Sequence, residues 1–133
     1  MIERTDDSVE RVLRALEDEG ILDETIVVFL SDNGGLSTLA RRGPNQATSN
    51  EPLRSGKGWL YEGGIRSPFI IRFPSRIEPG TLDALPAMTT DLYPTLLSLA
   101  GLADRPEQHV DGHDLTPRLG GSPETSTAQY WHF

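Results

Sequence analysis

Ile26-Val27-Val28-Phe29-Leu30-Ser31-Asp32-Asn33-Gly34-Gly35 is the stretch from which the rest of the chain can be read. Five apolar residues without polar alternation predict a strand covered on both faces, the pattern of a buried strand in an α/β sheet. Two compact oxygen-bearing side chains and two glycines follow, so Asp32 and Asn33 stand at the mouth of that strand, where open α/β folds carry their chemistry. The aspartate supplies charge, the asparagine supplies a neutral amide oxygen, and the glycines let backbone approach closely. The pair therefore suits a hard cation, although two oxygens fall short of the roughly 6 to 8 ligands a calcium ion takes. The same four residues also read as a simple Asx turn.

Outward from this stretch, Val9, Val12, Leu13 and Leu16 recur at helical spacing, with Asp6, Asp7 or Ser8 available as the N-cap and Gly20 able to close the helix. Residues 36 to 59 have no clean period and predict a long loop, a feature that in compact domains usually has a functional reason or is disordered. A second strand is expected at Phe69 to Phe73, with Pro68 before it and Pro74 and Pro79-Gly80 after it. Thr89 or Thr90 can cap a further helix with Pro94 in its first turn, an apolar stripe of Leu92, Leu96, Leu99 and Ala100, and an end at Gly101. Beyond it only Leu115 to Leu119 suggests a short helix, and Gln129 to Phe133 begins a strand with no partner downstream.

The 133 residues suit one modest domain with a single core. Twelve Lys and Arg stand against twenty Asp and Glu, a net charge of -8. That surplus, with no basic stripe and no interleaved aromatics, argues against nucleic acid as a partner. Cysteine is absent, which excludes a disulfide framework, a thiolate nucleophile and a cysteine metal site in this sequence. No apolar run approaches membrane-spanning length, and no signal-peptide pattern is present, so membrane partners are not expected.

Among the remaining polar residues, Lys57 lies between Gly56 and Gly58, where small neighbours expose its ammonium to a bound oxyanion or leave it an ordinary surface lysine. It does not match the phosphate-cradling P-loop consensus. Arg54 and Arg66 flank the same region, as ligands for an anion or as partners of Glu62. His109, His113 and His132 have no zinc spacing, and Asp111-Gly112-His113-Asp114 reads as turn residues. Trp131, beside Tyr130 and Phe133, reads as a packing residue.

Taken together, several blocks resemble the second half of the arylsulfatase family, in the family's order. They are residues 27–35 (Val27 to Gly35), residues 52–74 (Pro52-Leu53-Arg54-Ser55-Gly56-Lys57-Gly58-Trp59-Leu60-Tyr61-Glu62-Gly63-Gly64 and onward to Pro74), Thr90-Asp91-Leu92-Tyr93-Pro94-Thr95-Leu96, Asp111 to Leu115, and Tyr130 to Phe133. The resemblance implies an α/β fold: a partial alkaline-phosphatase-like sheet with flanking helices and the start of a small C-terminal antiparallel subdomain. Residues 1–102 would be the C-terminal part of the catalytic α/β domain, and residues 103–133 the connection and first strand of the subdomain.

The resemblance further implies that Asp32 and Asn33 are ligands of an active-site calcium ion (Ca2+) and that Lys57 is a catalytic residue contacting sulfate oxygens. Glu62 and Arg66 would shape the Lys57 loop. The expected partner of the complete enzyme is a sulfate-ester small molecule or a sulfated glycan, and exposed sheet edges would permit self-association. The sequence leaves the compartment undetermined; the same resemblance allows a periplasmic or secreted location for the complete protein. The family's nucleophile is a formylglycine made from Cys or Ser at the head of a Cys/Ser-x-Pro-x-Arg motif, and that motif is absent. Arg72 to Arg76 imitates its end, but Arg72 stands at the nucleophile position. The isolated chain is accordingly expected to be inactive. Departures from the family pattern, such as Ser55 for the more usual Gly, Ser67 for Val and Phe73 for Trp, look tolerable in packing terms. Two other readings are a phosphate or phosphonate ester hydrolase of the same superfamily and a non-catalytic folded remnant acting as a scaffold.

Overall fold

The computed structural model describes residues 2–36, 48–108 and 111–121. His109, His132, Trp131 and the strand expected at Gln129 to Phe133 lie outside the described residues, as does the middle of the loop expected over 36 to 59. The described residues of Met1–Val27 and Arg72–Ala128 form one compact unit, and those of Val28–Ile71 form another.

The first helix, α1, runs over Ile2–Asp18. It starts a turn earlier than the capping pattern suggested. Ser8 sits inside it, its hydroxyl donating back to the Arg4 carbonyl one turn below, which is how a mid-helix serine satisfies itself. The end is as expected. Gly20 takes φ +70°, its N–H donates to the Glu17 carbonyl, and the N–H of Ile21 reaches the Leu16 carbonyl. These two bonds are the Schellman closure that only a left-handed residue permits at low cost. Val9, Leu13 and Leu16 are half-buried, while the expected stripe member Val12 is exposed.

Strand β1 covers Val27–Leu30 and β2 covers Phe69–Arg72, forming a two-stranded sheet. Their order is antiparallel. Past the end of β1, Gly34 donates to the carbonyl of Gly64, which precedes β2. At the far end of β2, Arg72 donates to the Leu22 carbonyl at 2.8 Å and pairs with Asp23 at 2.6 Å, both before β1. The expectation that β1 is covered on both faces fails among the described residues. Phe29 is 39% exposed and its strand neighbours are half-buried, because β2 is the sole described strand beside it. Between the strands, Glu62–Ile65 makes one helical turn, α2.

Helix α3 spans Leu92–Leu99, entered through a 3-10 turn at Thr89–Asp91. Neither threonine caps it. Asp91 stands at the N-cap position but makes no side-chain cap bond to α3; its carboxylate binds outside the helix, one oxygen accepting the Met88 N–H at 2.7 Å and the other the His113 N–H at 2.9 Å. Within the helix, Thr95 is fully buried. Its hydroxyl donates to the Asp91 carbonyl at 2.6 Å and accepts the Leu115 N–H at 2.9 Å. The buried face of α3 is thus Asp91, Pro94, Thr95 and Leu99. Leu96 and Ala100, placed in the stripe by periodicity, are exposed.

The Asp111 to Leu115 segment is therefore a clamp on α3. Gly112 passes so close that a Cβ there would lie 2.3 Å from the Thr90 carbonyl oxygen. Helix α4, Thr116–Leu119, follows where a short helix was expected. Its start is held by Asp114, which accepts from both the N–H (2.8 Å) and the hydroxyl (2.6 Å) of Thr116. Arg118 extends from α4 to Asp83 and to the carbonyls of Leu85 and Pro86, with its side chain only 11% exposed. Among the described residues no helix is long and apolar enough to cross a membrane.

Candidate functional site

The turn after β1 settles one ambiguity. An Asx turn at Asp32 would need the N–H of Gly34, two residues on. That N–H donates to the Gly64 carbonyl at 2.9 Å instead. Ser31 holds the turn by a hydroxyl bond of 3.0 Å to the carbonyl of Asn33. Among the described residues, no hydrogen bond or ion pair engages the side chains of Asp32 or Asn33, and Asp32 is exposed while Asn33 is half-buried. Both oxygen groups are thus uncommitted.

Lys57 reaches the same turn through its backbone: its N–H donates to the Gly35 carbonyl at 2.9 Å. Its side chain is exposed and makes no hydrogen bond or ion pair among the described residues. The loop around it is tightly built. Trp59 N–H closes a turn onto the Gly56 carbonyl at 3.0 Å, and Gly63 N–H reaches the Arg54 carbonyl at 2.9 Å.

Four glycines make these crossings possible. A Cβ on Gly34 would lie 2.2 Å from the Gly63 oxygen, one on Gly63 would lie 2.2 Å from the Ser55 oxygen, and one on Gly64 would lie 2.0 Å from the Trp59 oxygen. A Cβ on Gly35 would meet the Asn50 side-chain oxygen at 2.2 Å. The acid turn, the lysine loop and α2 are therefore three backbone segments in mutual contact inside one compact unit.

Asn50 ties the three segments together, and sequence reasoning passed it over. Its side-chain amide nitrogen donates to the carbonyls of Gly35 (2.8 Å), Ser55 (3.0 Å) and Gly63 (3.1 Å), two protons shared among three acceptors. An asparagine in a polar, proline-bearing loop has no periodicity to mark it; the three carbonyls become neighbours only in the fold. Asn50-Glu51-Pro52-Leu53-Arg54 also has the x-Pro-x-Arg spacing of the nucleophile motif, but its head residue is this fully occupied amide and cannot attack anything.

Arg54 and Arg66 are both committed. The Arg54 guanidinium lies 3.8 Å over the centroid of the Tyr61 ring, and Arg66 pairs with Glu62 at 3.4 Å along α2. Ser55 departs from the expectation that it is merely a packing change. It is buried and held at φ +63°, a conformation that costs an L-residue energy and a glycine almost none.

Hard oxygens at Asp32 and Asn33 match the donor chemistry of a calcium ion, and together they make part of such a shell. Among the described residues, no group of three His, Cys, Asp or Glu gathers to complete one.

Comparison with known proteins gives the site its context. The model of the Sulfatase family matches residues 1–102. The steryl-sulfatase of Mus musculus is 38% identical over 130 residues, covering 97% of this chain and 21% of that protein. Among solved structures, Ps i-CgsB in complex with k-i-k-neocarrahexaose superposes with a TM-score of 0.76 at 35% identity, covering 88% of this chain and 24% of that one. BT4656 in complex with its substrate D-glucosamine-2-N,6-O-disulfate gives a TM-score of 0.72 at 27% identity, over 95% of this chain and 23% of that one. The chain thus spans about a fifth to a quarter of the length of the relatives it matches.

Proposed function

The chain belongs to the sulfatase family, and from that premise we propose that it carries part of the metal and sulfate site of a calcium-dependent sulfuric ester hydrolase. In this reading it is the C-terminal portion of such an enzyme: residues 1–102 complete the catalytic α/β domain, and residues 103–133 lead into the smaller subdomain. Asp32 and Asn33 supply two oxygens to Ca2+. Lys57 holds the sulfate oxygens through its ammonium. The observation that carries the reading is the bond from Lys57 N–H to the Gly35 carbonyl, which fixes the lysine loop beside the acid turn while all three side chains stay uncommitted among the described residues.

When bound, the divalent ion would neutralise the charge of the ester head group. The residues of this chain bind and orient. The ammonium of Lys57 stabilises charge that develops on the sulfate oxygens as the S–O bond breaks, and the fixed loop avoids reorganisation at that moment. The nucleophile is not among these residues, since there is no cysteine and no serine in the formylglycine motif. The substrate class that best fits is a sulfated sugar, the kind of molecule named in the complex of BT4656.

Two measurements test the reading. Calcium titration of the chain by calorimetry should give binding that Asp32→Ala abolishes, and absence of any calcium binding would favour the scaffold alternative. Incubation with an aryl sulfate and calcium should release no product, and turnover abolished by Lys57→Ala would overturn the assignment of this chain as a partial site.

A further inference from the structure

We propose that Trp59 is a stacking platform for the hexose ring that carries the sulfate group, a subsite that rests on the sulfate reading of Lys57. The indole lies two residues beyond the lysine and is 53% exposed. Its backbone is held at two points: the N–H closes the turn onto the Gly56 carbonyl at 3.0 Å, and the carbonyl packs against the backbone of Gly64. The turn that presents it also presents Lys57.

Tyr61 provides the contrast. It is also exposed, but the Arg54 guanidinium occupies a face of its ring at 3.8 Å. Among the described residues, no cation stacks on Trp59. A free indole face carries the negative part of the ring quadrupole and a broad apolar area. The axial C–H groups of a pyranose present a flat, slightly positive, apolar surface of similar size. Binding sites for small molecules combine such an aromatic wall with a few placed polar groups. Here Lys57 would hold the charged substituent and Trp59 the ring that bears it, so the pair selects a sugar sulfate over the bare anion.

The test uses the 133-residue chain in calcium-containing buffer and two probes, glucosamine 6-sulfate and inorganic sulfate, followed by NMR titration of the Trp59 indole N–H. The signal is assigned by its loss in Trp59→Phe. The expected result is that the sugar sulfate binds more tightly than inorganic sulfate and shifts the indole signal. Trp59→Ala should weaken the sugar sulfate about tenfold and leave inorganic sulfate unchanged, and Trp59→Phe should keep most of the affinity. Equal affinity of wild type and Trp59→Ala for the sugar sulfate overturns the platform. So does a parallel loss for both probes, which would mark Trp59 as a support of the loop. If neither affinity responds to Lys57→Ala while the sugar still depends on Trp59, the sulfate reading falls and the platform stands; if neither probe binds at all, both fall.

Discussion

The backbone N–H of Lys57 donates to the carbonyl of Gly35 at 2.9 Å, so the only lysine in the chain is anchored by its main chain while its ammonium is exposed. Function and stability should therefore separate at this residue. Lys57→Ala is expected to lower affinity for sulfate about tenfold or more, the scale of a lost charge-assisted hydrogen bond. Denaturant unfolding should change by less than about 0.5 kcal/mol. Sulfate titration beside a urea melt checks both halves.

Asn50 should behave in the opposite way. Removing its amide leaves the carbonyls of Ser55 and Gly63, both on buried residues, without that donor. Asn50→Ala is expected to cost about 2 kcal/mol and to loosen the lysine loop as well. Hydrogen exchange at Lys57 and Gly63 would report the loosening, and unchanged protection there would refute the role given to this amide.

At Gly64 the space itself is the constraint. A methyl group would lie 2.0 Å from the Trp59 oxygen and 2.5 Å from the Gly56 oxygen, and main chain cannot step aside as a flexible side chain can. Gly64→Ala is expected to destabilise the chain by about 3 kcal/mol. Thermal unfolding by circular dichroism suffices to see it.

Ser55 offers a stabilising change. At φ +63° a serine bears a cost of about 1 to 2 kcal/mol that glycine avoids, partly offset by the extra entropy glycine loses on folding. Ser55→Gly should gain about 0.5 kcal/mol net. A lower midpoint for the glycine variant in urea would count against the strain argument.

Thr95→Val keeps the volume of a fully buried side chain and deletes one hydroxyl. The Leu115 N–H then loses its acceptor and the Asp91 carbonyl loses the second of its donors, which should cost about 2 kcal/mol. Exchange of the Leu115 amide should accelerate most.

What the sequence made legible was whatever depends on local chain chemistry. Gly20 as a helix end, the two apolar strands and the short helix after Leu115 follow from periodicity and backbone preference, and the structure has them. The ordered blocks from Val27 to Leu115 were enough to suggest the family, because many residue types in register are hard to match by chance.

Long-range polar partners were not legible. The helix start expected to be capped by Thr89 or Thr90 has no side-chain cap; it is fixed by Asp91, whose two carboxylate oxygens reach Met88 and, 22 residues on, His113. Thr95 is buried where periodicity would bury Leu96, because its hydroxyl is matched to a distant N–H. Asn50 went unnoticed for the same reason. Phe29 is more exposed than an unbroken apolar run suggests, as burial depends on how many strands lie alongside.

The two ends of the connection from 36 to 48 are held together, with the Thr48 hydroxyl donating to the Leu36 carbonyl, and the antiparallel register is fixed elsewhere, by Gly34 on Gly64 and by Arg72 on Leu22. Neither of those register contacts involves residues 36 to 48. Doubling the length of chain between two points that already meet adds only about 0.6 kcal/mol of closure entropy. An epitope or fluorophore-bearing insert placed there should leave strand pairing untouched, which makes that span the natural port for tagging this molecule.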